Sequence, residues 1–288
     1  MTREIEDTQA KAEVLSQALS YIRRFTGKRV LIKVGGELFE NEAAAKSLAS
    51  DLSFLRTVGV DVVLVHGGGP QISKAMKQFR KEPVFVKGQR QTDSETLDLT
   101  AMVLLGDINR RIVSLLNVAG ARSIGLSGAD DSMLLVEQLD PELGFVGTVR
   151  EVNTDPIDRL LEYDYIPVIA GMGVDRSGQL YNVNADSVAG KIAVAIGAEK
   201  YILLTNVPGL YETFGEEDSL ISEIDSHGLI RLISTNKLSE GMIPKVESIL
   251  SALKGGVKDA HILDGRMVHS VLLEIFTPEG IGTMVKNG

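Results

Sequence analysis

The sequence predicts an α/β fold, with a largely parallel sheet covered by helices on both faces and one helix ahead of it. Three observations predict it. Apolar runs of strand length alternate with segments of helical period. The strand-like runs end in glycine or other turn residues. The chain has 288 residues, 44% of them hydrophobic and 24% charged, ample for a large core in one domain or two lobes.

The elements follow in order. "AEVLSQALSYIRRF" sets Val14, Leu15, Ala18, Leu19, Ile22 and Phe25 on one helical stripe, which either packs on its own domain or reaches a neighbouring subunit. "RVLIKVGG" reads as a strand and "AAAKSLASDLSFLRTVG" as a helix. "VDVVLVHGGG" is a second strand and "PQISKAMKQF" a second helix. "SETLDLTAMVLLGDINRRIVSLLNVAG" is one long periodic segment. "RSIGLSG", "YIPVIAGMGV", "YILLTNVPG" and "DAHILDG" read as strands, and "ADSVAGKIAVAIGA", "PKVESILSALKGG" and "SVLLEIF" as helices. Glycines thus gather at the carboxyl ends of strands, where open α/β sheets bind ligands.

Composition excludes several function classes. The net charge is −9, Trp is absent and aromatics are 5%, which argues against a nucleic-acid partner. The lack of cysteine removes thiolate metal sites and cysteine nucleophiles and suits a reducing compartment. No apolar run is long enough to span a membrane and the first residues lack a signal-like core, so the cytoplasm is the expected location.

Two glycine runs raise the question of phosphate. The dinucleotide fingerprint fails because Ile72 takes the third glycine's place, and no Walker loop is present. One glycine run after a strand could be a plain tight turn. Two such runs, Gly35-Gly36 and Gly67 to Gly69, each between a strand and a helix, offer bare main-chain N–H groups and helix N-termini to an anion. Lys33 stands inside the apolar run before the first of them, where it either snorkels to the sheet edge or places an ammonium at the loop's mouth. His66 beside the second run reads as structural. Asp186 can cap a helix as well as serve a site, Arg90 can be a solvated charge or a bidentate carboxylate clamp, and Lys245 can be an ordinary first-turn residue.

Taken together and in order, "IKVGG", "VVLVHGGGPQI", "KGQRQTD", "LYNVNADSVAG", "LLTNVPGLY" and "GMIPKV" resemble the amino-acid kinase family over essentially the whole chain. The resemblance implies an αβα sandwich around a largely parallel open sheet. Behind an interaction helix in residues 1–26, it implies an N-lobe in 27–175 for the acyl-amino-acid substrate and phosphoryl site, and a C-lobe in 176–288 for ATP. The implied reaction moves the γ-phosphoryl group of ATP to the side-chain carboxylate of N-acetyl-L-glutamate, in arginine biosynthesis. Lys33 and Lys245 would neutralise the transferring group, with Asp186 orienting both. Gly35 and Gly36, with Gly68 and Gly69, would line the phosphoryl and substrate sites. Arg90 would clamp the α-carboxylate and Asn182 would bond the acylated substrate. Thr205, Asn206, Leu210, Tyr211 and Met242 would lie on the nucleotide side. Mg²⁺ would be held through phosphates and water, with no protein cage. A similar N-terminal extension and carboxyl end in arginine-inhibited relatives imply arginine as inhibitor near Tyr21, Glu279 and Gly282, and a hexamer built as a trimer of dimers.

The chemistry asks for such residues. A carboxylate with a pKa of about 4.3 is already ionised at neutral pH, so it needs no general base. The obstacle is anion meeting polyanion, which fixed positive charge and main-chain amides relieve. Where many relatives carry Tyr-Gly-Gly-Asn-Ala this chain has Val34 and then Glu37-Leu38, and Asn206 stands where many have Asp. Other carboxylate or carbamate kinases of the family, and a non-catalytic arginine-sensing domain, are the competing readings.

Overall fold

A computed structural model of the chain describes residues 16, 18–86, 88–213, 216–235, 237–239, 241–277 and 280–288. Its centre is an eight-stranded sheet. Six strands run parallel, in the spatial order Asp259–Asp264, Lys200–Thr205, Arg29–Val34, Asp61–His66, Ile166–Ala170 and Ser123–Ser127. Thr283–Lys286 adds antiparallel to Asp259–Asp264, and Glu223–Asp225 extends that edge.

Strand alternation divides the core. Val30, Ile32 and Val34, with Val62 and Leu64, face one way and pack with Leu48, Leu52 and Leu55 of the Glu42–Thr57 helix and with Ile72 and Met76 of the Gly69–Gln78 helix. Leu31, Val63 and Val65 face the other way, onto Val188 and Ile192 of the Ala185–Ala195 helix and Val246 and Ile249 of the Ile243–Lys254 helix. Every strand in the middle is therefore covered twice, which is why these strands read as unbroken apolar runs. Period two puts Lys33 on the face of Leu31, beneath the Ala185–Ala195 helix.

The long segment after Arg90 is not one uniform helix. Ser94–Ala101 is α-helical, Met102–Asn109 widens into π turns, and Arg110–Val118 resumes the α-helix. The wide turns carry Leu104 and Ile108 against Gly68, where a Cβ would collide with both side chains. A second small sheet closes on itself from Leu134–Gln138, Val146–Val152, Met172–Val174 and Leu180–Val183. It stands beside the carboxyl ends of the main strands and contributes Val146 and Asn182 to the cavity there. Residues 18–25 are helical, with Phe25 buried in the core and Tyr21 packed partly on it.

Candidate active site

A cavity of about 800 Å³ opens at the carboxyl edge of the parallel strands. Five neighbouring strands each end in it: Gly35 and Gly36, Gly67 to Gly69, Gly171, Thr205 to Val207, and Gly265 with Arg266 line its wall. The two glycine turns touch. A Cβ on Gly36 would lie 2.9 Å from the Gly68 Cα, so only glycine allows both loops to reach the same point. Gln71, in the first turns of the next helix, donates from Nε2 to the Gly36 carbonyl at 3.0 Å and to Glu40 Oε1 at 3.0 Å, which fixes the Gly36 turn. The Gly69–Gln78 helix points its N-terminus at the cavity, where its first N–H groups have no carbonyl within the helix to bond.

Lys33, Asp186 and Lys245 meet on the cavity floor. Lys33 Nζ stands 2.6 Å from Asp186 Oδ1, a close ion pair rather than a well-aligned hydrogen bond. Lys245 Nζ is 3.8 Å from Asp186 Oδ2 and donates to the Gly241 carbonyl at 3.1 Å. Burial pushes the Asp186 carboxyl up, but the charges of Lys33 and then Lys245 outweigh it and hold it below the usual carboxylate range. For Lys245, burial draws the ammonium down, Asp186 pulls it back, Lys33 pushes it down again and Glu37 raises it, with a net lowering. Asp186 does not cap its helix. That role belongs to Asn184, whose side-chain oxygen accepts from Asp186 N at 2.8 Å and Ser187 N at 3.2 Å. The aspartate is thereby free to face the lysines.

The opposite end holds Arg90. It is 7% exposed, and its partners are all neutral: Nη2 donates to the Gly69 carbonyl at 2.9 Å and Ser73 Oγ at 2.8 Å, and Nη1 lies 3.2 Å from Met76 Sδ. Its guanidinium also covers the Phe85 ring at 4.8 Å. No carboxylate pairs with it among the described residues, and burial lowers its pKa. Asn182 lines the same end and donates to Thr92 Oγ1 at 3.3 Å.

Between the ends sits His66, fully buried. Its Nε2 accepts from Asn109 Nδ2 at 3.0 Å, which leaves Nδ1 to carry the proton toward the Gly67 carbonyl at 3.3 Å. Burial lowers its pKa to about 4, so the ring is neutral at pH 7. It supports the glycine turn and offers no catalytic base.

Of the residues expected on the nucleotide side, Thr205, Asn206 and Met242 line the cavity. Leu210 and Tyr211 do not. They form a short ribbon with Leu220–Ile221, Leu210 is buried, and its N–H donates to Thr283 Oγ1 at 2.8 Å. Gly282 packs against the Ile262 carbonyl at the head of Thr283–Lys286, and Glu279 lies outside the described residues. Sequence reasoning missed Asn184, Gln71, Leu104 and Arg266. Only Asn184 left a signal, since Asn two residues before a helical Asp is a capping pattern.

A phosphate-receptive cavity at the carboxyl edge of a doubly covered parallel sheet is what a sequence comparison then places by class: a profile of the amino acid kinase family matches residues 28–264, and the chain belongs to that family. The acetylglutamate kinase of Nitrosococcus oceani is 43% identical over 302 residues, spanning 100% of this chain and 99% of that one. The acetylglutamate kinase of Thermoanaerobacter pseudethanolicus is 46% identical over 281 residues, spanning 97% and 94%. Among solved structures, N-acetylglutamate synthase from Neisseria gonorrhoeae, complexed with coenzyme A and N-acetyl-glutamate, superposes with a TM-score of 0.86 at 24% identity. It covers 96% of this chain, which spans 63% of that one. Carbamate kinase from Giardia lamblia bound to AMP-PNP gives 0.69 at 17% identity, with 91% and 99% covered. These two likenesses speak for the fold.

Proposed function

We propose that this protein transfers the γ-phosphoryl group of ATP to the side-chain carboxylate of N-acetyl-L-glutamate, giving N-acetylglutamyl 5-phosphate and ADP in the cytoplasm, as a step of arginine biosynthesis. The names of the full-length relatives support it. The observation that carries it is one cavity with an ammonium pair on a shared aspartate at one end and, at the other, a buried guanidinium without a counter-ion among the described residues.

In this reading Arg90 takes the α-carboxylate of the substrate in a bidentate grip, and Asn182 bonds the acylated end. The side-chain carboxylate, already ionised, is aimed at the γ-phosphorus. A carboxylate oxygen forms the new O–P bond while the bond to the β–γ bridging oxygen breaks, and ADP leaves with that electron pair. Lys33 and Lys245 flank the charge that spreads over the equatorial oxygens, and Asp186 keeps both ammonium groups aimed at it. The N–H groups of Gly36 and Gly68 supply further donors without Cβ atoms in the way. Residues 27–175 hold the acyl substrate, helped by Asn182 from the second lobe, and 176–288 hold the nucleotide, with Thr205, Asn206 and Met242 on its side. The cavity's donors suit a nucleotide whose Mg²⁺ is held by its own phosphates and water, and that ion would neutralise part of the phosphate charge.

Arginine as feedback inhibitor and a hexamer built from dimers extend the same reading. Helix 18–25 leaves Leu19 45% exposed and lays Tyr21 on the same core as Ile281. The Ile281 N–H donates to Glu274 Oε2 at 2.8 Å, within reach of a carboxyl-end effector. Calorimetry with arginine and sedimentation of the intact chain test this extension; no heat and a dimer only would end it. A hydroxamate assay with ATP and N-acetylglutamate, beside glutamate, aspartate and carbamate, tests the reaction itself. Turnover confined to N-acetylglutamate is expected, and equal turnover of free glutamate would overturn the substrate.

A further inference from the structure

The Asp186 side chain faces the two lysines, but its main-chain carbonyl points the other way, into the core. There it accepts from Ser248 Oγ at 2.5 Å and from Tyr201 OH at 3.3 Å, and the two hydroxyls lie 2.9 Å apart. Tyr201 is fully buried and Ser248 nearly so, and neither lines the cavity. Ser248 sits three residues after Lys245 on the same helix, so both project from one face toward Asp186. Tyr201 lies on the strand next to that of Lys33, paired with Leu31. The helices that carry Asp186 and Lys245, and the strand beside that of Lys33, are therefore tied at one carbonyl oxygen. Gly190 makes the tie possible. A Cβ there would come 2.6 Å from Ser248 Oγ and 3.0 Å from the Ser248 carbonyl, so the two helices could not approach so closely with any other residue.

The tie acts unequally on the two lysines. Lys33 rests on a central strand bonded on both sides, and its 2.6 Å contact needs no further support. Lys245 is the looser partner, at 3.8 Å, more open to solvent and carried by a helix. Where that helix lies decides where the ammonium lies.

We infer that Ser248, backed by Tyr201, is a positioning residue that sets the distance of Lys245 from Asp186 and so from the phosphoryl group. This rests on the phosphoryl-transfer reading above. A displacement of the order of 1 Å at a reacting group can cost about 10²-fold, so a partial release of the helix should be visible in rate.

The test uses Ser248→Ala and Tyr201→Phe in the full chain, each alone and with Lys245→Ala. Steady-state kinetics with N-acetylglutamate and calorimetric titration of ATP are the readouts. Ser248→Ala should lower kcat about 10-fold and weaken ATP about 5-fold, leaving KM for N-acetylglutamate within about 2-fold, because Arg90 is untouched. Tyr201→Phe should act in the same direction at about 3-fold, and serves if Ser248→Ala does not fold. In the Lys245→Ala background neither substitution should change kcat or ATP affinity further. A purely structural tie would lower melting temperature equally in both backgrounds and leave kcat of the folded enzyme intact, and that result overturns the inference. So does an undiminished loss without Lys245. If the wild type is inert toward N-acetylglutamate, the ATP titrations still decide the point, and only the substrate reading falls.

Discussion

The two ends of the cavity hold buried charge in opposite ways. At the floor, Asp186 stands between Lys33 and Lys245, and each charge has a partner before any ligand arrives. At the far end, Arg90 is as buried as Lys33 and Asp186, but among the described residues it bonds only to a carbonyl, a hydroxyl and a thioether. A buried charge without a counter-charge is costly, whereas a paired one is costly only when its partner is removed. In the proposed reaction the floor is thus preassembled for chemistry, and the far end holds its charge for the carboxylate of the substrate. Truncation should expose the contrast. At the floor it removes both rate and stability, and at the far end it removes affinity while stability stays or rises.

The sharpest break would come from Lys33→Ala. Turnover should fall by about 10³-fold or more, and urea unfolding should show a loss of about 3 kcal/mol, because Asp186 keeps only the weaker partner. Near-normal turnover would remove Lys33 from the mechanism. Arg90→Leu comes next. It should raise KM for N-acetylglutamate by about 10²-fold, with kcat less affected and unfolding free energy unchanged or higher. If Arg90→Leu destabilises as much as Lys33→Ala, the guanidinium is already paired and the contrast fails.

A pH experiment probes the support between the ends. The folded His66 ring titrates at about 4, against 6.5 when unperturbed, because burial disfavours its charge. Between those values the unfolded chain binds the extra proton. The contribution of His66 is therefore complete above pH 6.5 and is lost as pH falls toward 4, by about 3 kcal/mol in all. Urea midpoints measured from pH 7 to 4 should show that slope, and His66→Gln should flatten it. The smallest effect belongs to Glu37. It is exposed at the cavity mouth and its charge raises the Lys245 ammonium. Glu37→Gln should move the alkaline limb of kcat to lower pH by less than about one unit and tighten ATP by about 2-fold, since one repelling charge is gone. A rise in KM for ATP would instead mean that Glu37 meets the metal.

Much of this was legible in the residues because each element carried its own signal. The central strands are apolar on both faces, so runs such as "VLIKV" and "VVLV" declared themselves, and the glycines after them marked the cavity edge. The small closed sheet was not legible. Leu134–Gln138 and Val146–Val152 carry glutamate, glutamine, arginine and glycine among their apolar residues, because much of one face meets solvent. The edge strands Glu223–Asp225 and Thr283–Lys286 are too short to show a pattern. The break in the long helix was hidden as well, since π turns keep a nearly helical spacing of apolar residues. Within the site, Lys33 was suspicious from its setting alone, whereas Arg90 and Lys245 had plausible surface readings. Arg90 is covered by the Gly69–Gln78 helix and Lys245 is aimed by Asp186, contacts between separate elements that no local pattern records. Tyr201 and Ser248 left no trace for the same reason: a hydroxyl inside an apolar run looks like any other core position until its partner, Asp186, is placed beside it.

The contact between Gly36 and Gly68 reaches beyond catalysis. A methyl group on Gly36 would strike Gln71 and the Gly68 Cα, and one on Gly68 would strike Ile108 and Leu104 of the π turns. The first turn is consequently seated on the second, and the second on the π turns, although 31 residues of sequence lie between the two glycines. A diversified library that varies Gly36 or Gly68 alone should return almost nothing but glycine there, while a library that also lets Leu104 and Ile108 shrink should admit small side chains at Gly68 and so a differently shaped mouth.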